Sequence, residues 1–154
     1  MTFTTARSRA FTLIELMLVI ALIAIVFIGS TPMVSASLRE RKLRSAAESL
    51  ESAVREERSR AMGDGQRHVV EIRSGGFVEQ DRKKTRKIFE APRGVEVYVR
   101  MPEREWGKPE GQDWEFSPIG LVTPLSVRLS EGKSWIEVDF DLLTGRVAEE
   151  RYAF

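Results

Sequence analysis

A chain of 154 residues with 24 Lys and Arg against 23 Asp and Glu has a formal charge of +1, which supplies no global field to draw it to nucleic acid. It has no cysteine, which excludes disulfides, thiol nucleophiles, cysteine metal sites and a lipoprotein anchor, and its one histidine leaves nucleophile-and-base pairs without their usual base. The length accommodates one modest domain beyond any membrane segment.

From the N-terminus, Arg7 and Arg9 precede an apolar run from Phe11 to Ile28 that holds one carboxylate, Glu15. A charged side chain in the middle of a bilayer costs roughly 2.5 to 3.5 kcal/mol on insertion scales, so such a residue is a functional candidate whose counter-charge should be sought. Two ordinary readings compete. One is a secretory signal peptide cut after Val34-Ser35-Ala36; the other is a plain signal anchor in which Glu15 snorkels to the interface. The first is opposed by an apolar run longer than the roughly 7 to 15 residues of a signal core. Neither accounts for the hexapeptide Phe11-Thr12-Leu13-Ile14-Glu15-Leu16.

That hexapeptide, preceded by the small residue Ala10 and followed by unbroken apolar sequence, resembles the processing site of type IV prepilins and type II secretion pseudopilins. The resemblance implies cleavage between Ala10 and Phe11 by a prepilin peptidase on the cytoplasmic face, with methylation of the new Phe11 amine. Glu15 would face the N-terminal amine of a neighbouring subunit, so that neither charge is left unpaired in low dielectric. The residue before the cut is usually Gly in that family and here is Ala10. The implied partners are other pilins or pseudopilins, the peptidase, an inner-membrane assembly platform and, before assembly, lipid. Arg7 and Arg9 favour a cytoplasmic leader and an exported bulk; Arg39, Arg41, Lys42 and Arg44, just past the apolar run, argue the other way.

Gly29-Ser30-Thr31-Pro32 is expected to kink the helix, because Pro32 removes a backbone donor and crowds the preceding turn. Beyond it Leu43, Ala46, Ala47, Leu50, Ala53, Val54 and Ala61 recur at helical spacing. Glu40 with Arg44, Glu51 with Arg55 and Glu56 with Arg60 stand one turn apart. Gly63-Asp64-Gly65 is a stop signal. The expected organisation is a leader over 1–10, a transmembrane helix over 11–31, an amphipathic continuation over 32–62 and a periplasmic β domain over 63–154.

Past Arg67 the period falls to two. Val95, Val97, Val99 and Met101 alternate with polar residues, as do Leu125, Val127 and Leu129, then Ile136, Val138 and Phe140. Weaker strands are expected at His68 to Arg73, Phe77 to Gln80, Trp114 to Phe116 and Arg146 to Glu150, with turns at Gly75-Gly76, Glu131-Gly132 and Thr144-Gly145. Pro102 to Asp113 reads as an exposed loop. The expected fold is α+β and pilin-like: a long N-terminal helix packed on a mostly antiparallel domain of about six or seven strands. Trp114-Glu115-Phe116-Ser117-Pro118-Ile119-Gly120 and Thr144-Gly145-Arg146-Val147 look like the C-terminal region of the GspH/FimT family, which implies a minor pilin-like subunit. Gly120 and Gly145 read as turn formers.

No catalytic residue, cofactor or metal site is expected. There is no phosphate loop and no dinucleotide fingerprint, and His68 reads as structural. Asp139 and Asp141 do not match an oxygen cage for calcium and read as acids that solvate a turn. Arg82, Lys83, Lys84, Arg86 and Lys87 form a candidate basic contact patch, read as a solvated hairpin loop or a contact to an acidic neighbour. Nucleic acid is not the expected partner, because no aromatic interrupts the run for base stacking. The sequence therefore reads as a minor pseudopilin, a structural subunit of a type II secretion pseudopilus held first in the bacterial inner membrane. The alternative is a minor type IV pilin for pilus assembly or DNA uptake.

Overall fold

The computed structural model describes residues 12–81 and 84–154, and within these the side chains of 26–35, 80, 81 and 84 are outside the description. The chain divides into a first unit ending at Ser37 and a second unit, Leu38–Phe154. One helix, α1 (Leu13–Asp64), runs through that boundary. Eight strands follow: β1 (His68–Arg73), β2 (Gly76–Asp81), β3 (Lys84–Glu90), β4 (Glu96–Arg100), β5 (Gln112–Phe116), β6 (Ser126–Glu131), β7 (Ser134–Phe140) and β8 (Val147–Ala153).

In the first unit the helix begins at Thr12, whose carbonyl accepts from the Glu15 and Leu16 amides at 3.1 and 3.2 Å. Its hydroxyl oxygen lies 3.4 Å from the Glu15 amide nitrogen, so Thr12 caps the helix. Every described position from 12 to 25 is exposed, including Leu13 and Ile14 at 77% and 75%. α1 continues through Pro32, the expected site of the bend. Among the described residues no helix is long and apolar enough to cross a membrane. The span expected over 11–31 includes Phe11 and the side chains of 26–31, which lie outside the description.

In the second unit the small-residue stripe behaves as its spacing requires. Leu43, Ala46, Ala47, Leu50, Val54 and Ala61 are buried together with residues of both sheets in one core. The strands form two antiparallel sheets, ordered β3-β2-β1-β5 and β4-β6-β7-β8. The expected six or seven strands are thus eight. The missed strand is β3, where Arg86 and Lys87 sit in a segment whose charge masks its alternation; Arg86 lies opposite Glu79 and Phe89 opposite Phe77. The expected loop from Pro102 to Asp113 also needs correction, because Gln112 and Asp113 already pair with Ile72 and Glu71 of β1.

Trp114 joins the sheets. Its ring lies 5.7 Å from Phe77 and 5.1 Å from Phe116 on its own sheet, and 5.2 Å from Phe140 on the other. Its indole N–H donates to the Thr123 carbonyl at 2.7 Å, so the one polar atom of a buried ring is satisfied. Arg58 of α1 donates to the Gly120 carbonyl at 2.7 Å and the Leu143 carbonyl at 2.8 Å, tying two turns to the helix. Gly120 and Gly145 fill those turns with φ of 85° and 63°, a region in which a side chain would be strained. A Cβ on Gly145 would lie 3.1 Å from the Arg58 side chain, so the turn also needs the space.

Candidate functional site

Two places carry more charge or more apolar surface than folding alone asks for. The first is the N-terminal segment. Thr12 and Glu15 stand in the relation of N-cap and third helical residue, the spacing at which a Glu completes a capping box, and the helix dipole favours a carboxylate in this first turn. Glu15 therefore has a local place at the helix start as well as the expected role toward a neighbour's amine. The apolar side chains following it are solvent-exposed around the helix, an arrangement stable only in lipid or against other apolar helices. Ala10 and Phe11, the expected cleavage pair and methylation site, lie outside the described residues.

The second place is a buried charged cluster that the sequence reading missed. Glu57 is fully buried, and His68 and Glu79 are each 8% exposed. Glu57 lies seven residues after Leu50 and fourteen after Leu43 and so occupies the core stripe of α1, which is the sequence signal that could have revealed it. His68 likewise takes the first inward position of the alternation His68, Val70, Ile72 in β1. His68 Nδ1 lies 2.5 Å from Glu57 Oε1 and 3.2 Å from Glu79 Oε1, while Nε2 lies 2.8 Å from Asp64 Oδ2.

The outer oxygens of the two glutamates meet guanidinium groups. Arg60 Nη1 is 3.2 Å from Glu57 Oε2 and 3.1 Å from Glu79 Oε2. Arg86 of β3 bonds Glu57 Oε2 and reaches Glu79 Oε2 at 3.1 Å, with Glu56 at 3.5 Å on its outer side. The expected Glu56–Arg60 pairing is replaced by this arrangement, because Arg60 turns inward to the two buried acids.

Burial alone would push the His68 pKa down; hydrogen bonds to Glu57 and Asp64, with their charges, outweigh it and hold the value above the ordinary imidazole range. Burial would likewise raise Glu79, but hydrogen bonds from Arg86 and Arg60 hold it below the ordinary carboxylate range. A backbone bond from Gln66, reinforced by His68, lowers Asp64. Donor atoms of Glu57, His68 and Glu79 lie within 4.8 Å of one another, close enough to surround a small cation. Two guanidiniums already neutralise the Glu57 and Glu79 carboxylates, so counting Asp64 on the other side of the ring one negative charge remains, which a protonated His68 matches.

The remaining expected residues fall elsewhere. Of the basic run, Arg86 is committed to the buried acids and Lys87 pairs with Glu90 at 3.0 Å. Lys84 opens β3, and Arg82 and Lys83 lie outside the described residues. Asp141 Oδ1 accepts from the amides of Leu143 and Thr144 and the Thr144 hydroxyl at 3.1, 2.7 and 2.7 Å, closing its own turn. Asp139 pairs with Arg151 at 2.6 Å. Of the basic cluster past the apolar run, Lys42 bonds the Arg93 carbonyl and Glu131, and Arg44 lies over the rings of Tyr152 and Phe154 at 4.7 and 5.2 Å.

A family model described as the prokaryotic N-terminal methylation motif matches residues 5–31. The chain thus carries a type IV pilin-like prepilin signal, and the match ends before the globular unit begins. Comparison with curated proteins and with solved structures gives no match.

Proposed function

We propose that this chain is the precursor of a minor pseudopilin: a non-enzymatic, structural subunit of a type II secretion pseudopilus, processed before Phe11 and inserted in the filament through its N-terminal helix. The reading rests on one observation, that the prepilin signal at 5–31 leads into a helix whose described residues 12 to 25 are exposed on every side. Such a surface needs lipid before assembly and the apolar helices of other subunits after it. The segment 11–31 is the span, with the leader in the cytoplasm and the β domain in the periplasm. The engagement of Lys42 and Arg44 with the folded unit supports this orientation, because those charges serve the domain instead of marking a cytoplasmic loop. A dedicated peptidase, an assembly platform and neighbouring pseudopilins are the partners. The minor-subunit assignment draws on the Trp114 to Gly120 and Thr144 to Val147 segments and their likeness to the GspH/FimT family.

Mass spectrometry of the mature protein tests the reading directly. The expected terminus is N-methylated Phe11, and Ala10→Leu leaves the precursor uncut; a terminus at Ser37 rejects it. Co-isolation with secretion pseudopilins supports the secretion filament, whereas co-isolation with surface pili transfers the subunit to a type IV pilus.

A further inference from the structure

The cluster ties the end of α1 to a first strand and a hairpin that are laddered to each other but not to the helix. Glu57 and Asp64 come from the last turns of α1, His68 from the start of β1, and Glu79 and Arg86 from the two strands of the β2–β3 hairpin. Both nitrogens of His68 face carboxylate oxygens, Glu57 and Glu79 on one side and Asp64 on the other. A neutral imidazole has one N–H and one lone pair, so it would place that lone pair against a carboxylate; only the doubly protonated ring donates on both sides. Charge counting agrees. Glu57, Asp64 and Glu79 bring three negative charges and Arg60 and Arg86 two positive ones, and a His68 imidazolium makes the sum of these six zero; Glu56, on the solvent side of Arg86, is left out of the sum.

We infer that His68 is a proton-operated latch which, when charged, fastens the β2–β3 hairpin to the end of α1 and, on losing its proton, lets that hairpin open locally. Around the ring stand Glu57, Asp64 and Arg60 from α1, Glu79 from β2 and Arg86 from β3, with Glu56 on the outer side of Arg86. From β5 the directly opposed residue is Phe116, which does not titrate; Arg67 and Glu115 pair with each other at 3.2 Å. Deprotonation leaves one uncompensated negative charge beside the buried Glu57 and Glu79, and hydrating those two carboxylates relieves it. Opening the hairpin breaks the β1–β2 ladder from Val70–Glu79 to Arg73–Gly76 and uncovers Phe77 and Phe89, while β1–β5 pairing and the second sheet stay intact. β3 carries Lys87, so the proton governs how firmly that charge is presented. The high proton affinity of the ring places the change on the alkaline side of an ordinary histidine.

The test is amide hydrogen exchange on the full-length chain in detergent micelles from pH 5.5 to 9, corrected for the chemical exchange rate, with the His68 ring titrated by NMR on the same sample. The expected result is a loss of protection in residues 76–90 that follows the His68 titration. The loss should approach about tenfold for each unit by which the ring's pKa exceeds its ordinary value, with the hairpin opening separately from, and before, β6 and β7. His68→Gln should show low hairpin protection at every pH and no step. Should that variant fail to fold, Glu79→Gln, which removes one facing charge and keeps the shape, should move the step to lower pH. Protection that ignores the His68 titration, a step that survives His68→Gln, a midpoint unmoved in Glu79→Gln, or exchange of the hairpin together with β6 and β7 would each overturn the latch.

Discussion

Glu57 is fully buried and bonded to His68 of β1, Arg86 of β3 and Arg60 of its own helix, so its removal does not simply subtract a contact. Glu57→Ala takes from the His68 ring its nearest acceptor and from Arg86 its most buried one, and about 3 to 5 kcal/mol of stability should be lost in urea denaturation. The two perturbed groups facing it bend the pH profile in opposite directions. His68 has a folded pKa above its unfolded one, so its contribution is complete below the ordinary imidazole range and lost as pH rises through the folded value. Glu79 has a folded pKa below its unfolded one, so its contribution is present above the ordinary carboxylate range and lost as pH falls through the folded value. Denaturation midpoints should therefore be highest between those ranges and decline on both sides, with His68→Gln flattening only the alkaline side. At the other end of α1, Glu15→Gln keeps the shape and the capping capacity at the third helical position and removes the charge. Such a precursor should insert and be cleaved normally yet enter filaments poorly; normal co-assembly in cross-linked filaments would show that Glu15 serves only to start its helix.

At the scale of elements, α1 holds the second unit by a stripe and a clamp. Leu50 is fully buried at the middle of the stripe, and Leu50→Ala should cost about 2 to 5 kcal/mol, read as a shift in the urea midpoint. Arg58 acts differently, because it satisfies carbonyls of two turns that share no strand. Arg58→Ala should cost about 1.5 to 3 kcal/mol and open the turns at 117–121 and 141–146 to limited proteolysis, since a charged donor to a carbonyl contributes more than a neutral one. If cleavage instead concentrates in the β2–β3 hairpin, the clamp is not what holds those turns. The hairpin itself escaped the sequence reading for a physical reason. Arg86 directs its charge inward to buried acids, so the alternation that marks a half-buried strand is inverted at that position.

For the molecule as a whole, the core residues from Leu43 to Phe140 all belong to the Leu38–Phe154 unit. A chain starting at Leu38 should therefore be soluble and folded, with both helix and strand in circular dichroism. A molten or aggregated product would mean that the N-terminal half of α1 stabilises the domain. The same product should bind duplex DNA only weakly, in the range of about 10⁻⁴ to 10⁻⁶ M at physiological salt, as expected of a few phosphate contacts. Arg86 is committed to Glu57 and Glu79, and Lys87 pairs with Glu90, so two charges of the basic run have internal partners. Tight binding abolished by neutralising Lys84 and Lys87 would favour a DNA-uptake pilin over a secretion pseudopilin.

The prepilin signal, the amphipathic stripe and most of the strands were legible in the residues, because each is a local pattern: a charge in an apolar run, a period of 3.6, a period of 2. Local patterns also placed Gly120 and Gly145 in turns and Asp141 as an acid that closes one. What only the tertiary structure decided is which residues far apart in the chain become neighbours. Strands of one chain can pair in many orders that bury similar apolar area, so the split into β3-β2-β1-β5 and β4-β6-β7-β8 is not written in any single segment. The cluster of Glu57, His68, Glu79 and Arg86 is the sharpest case. Glu57 and His68 stand at inward positions of their own segments, but it takes the folding of a helix end, a first strand and a hairpin onto one point to give them Glu79 and Arg86 as neighbours.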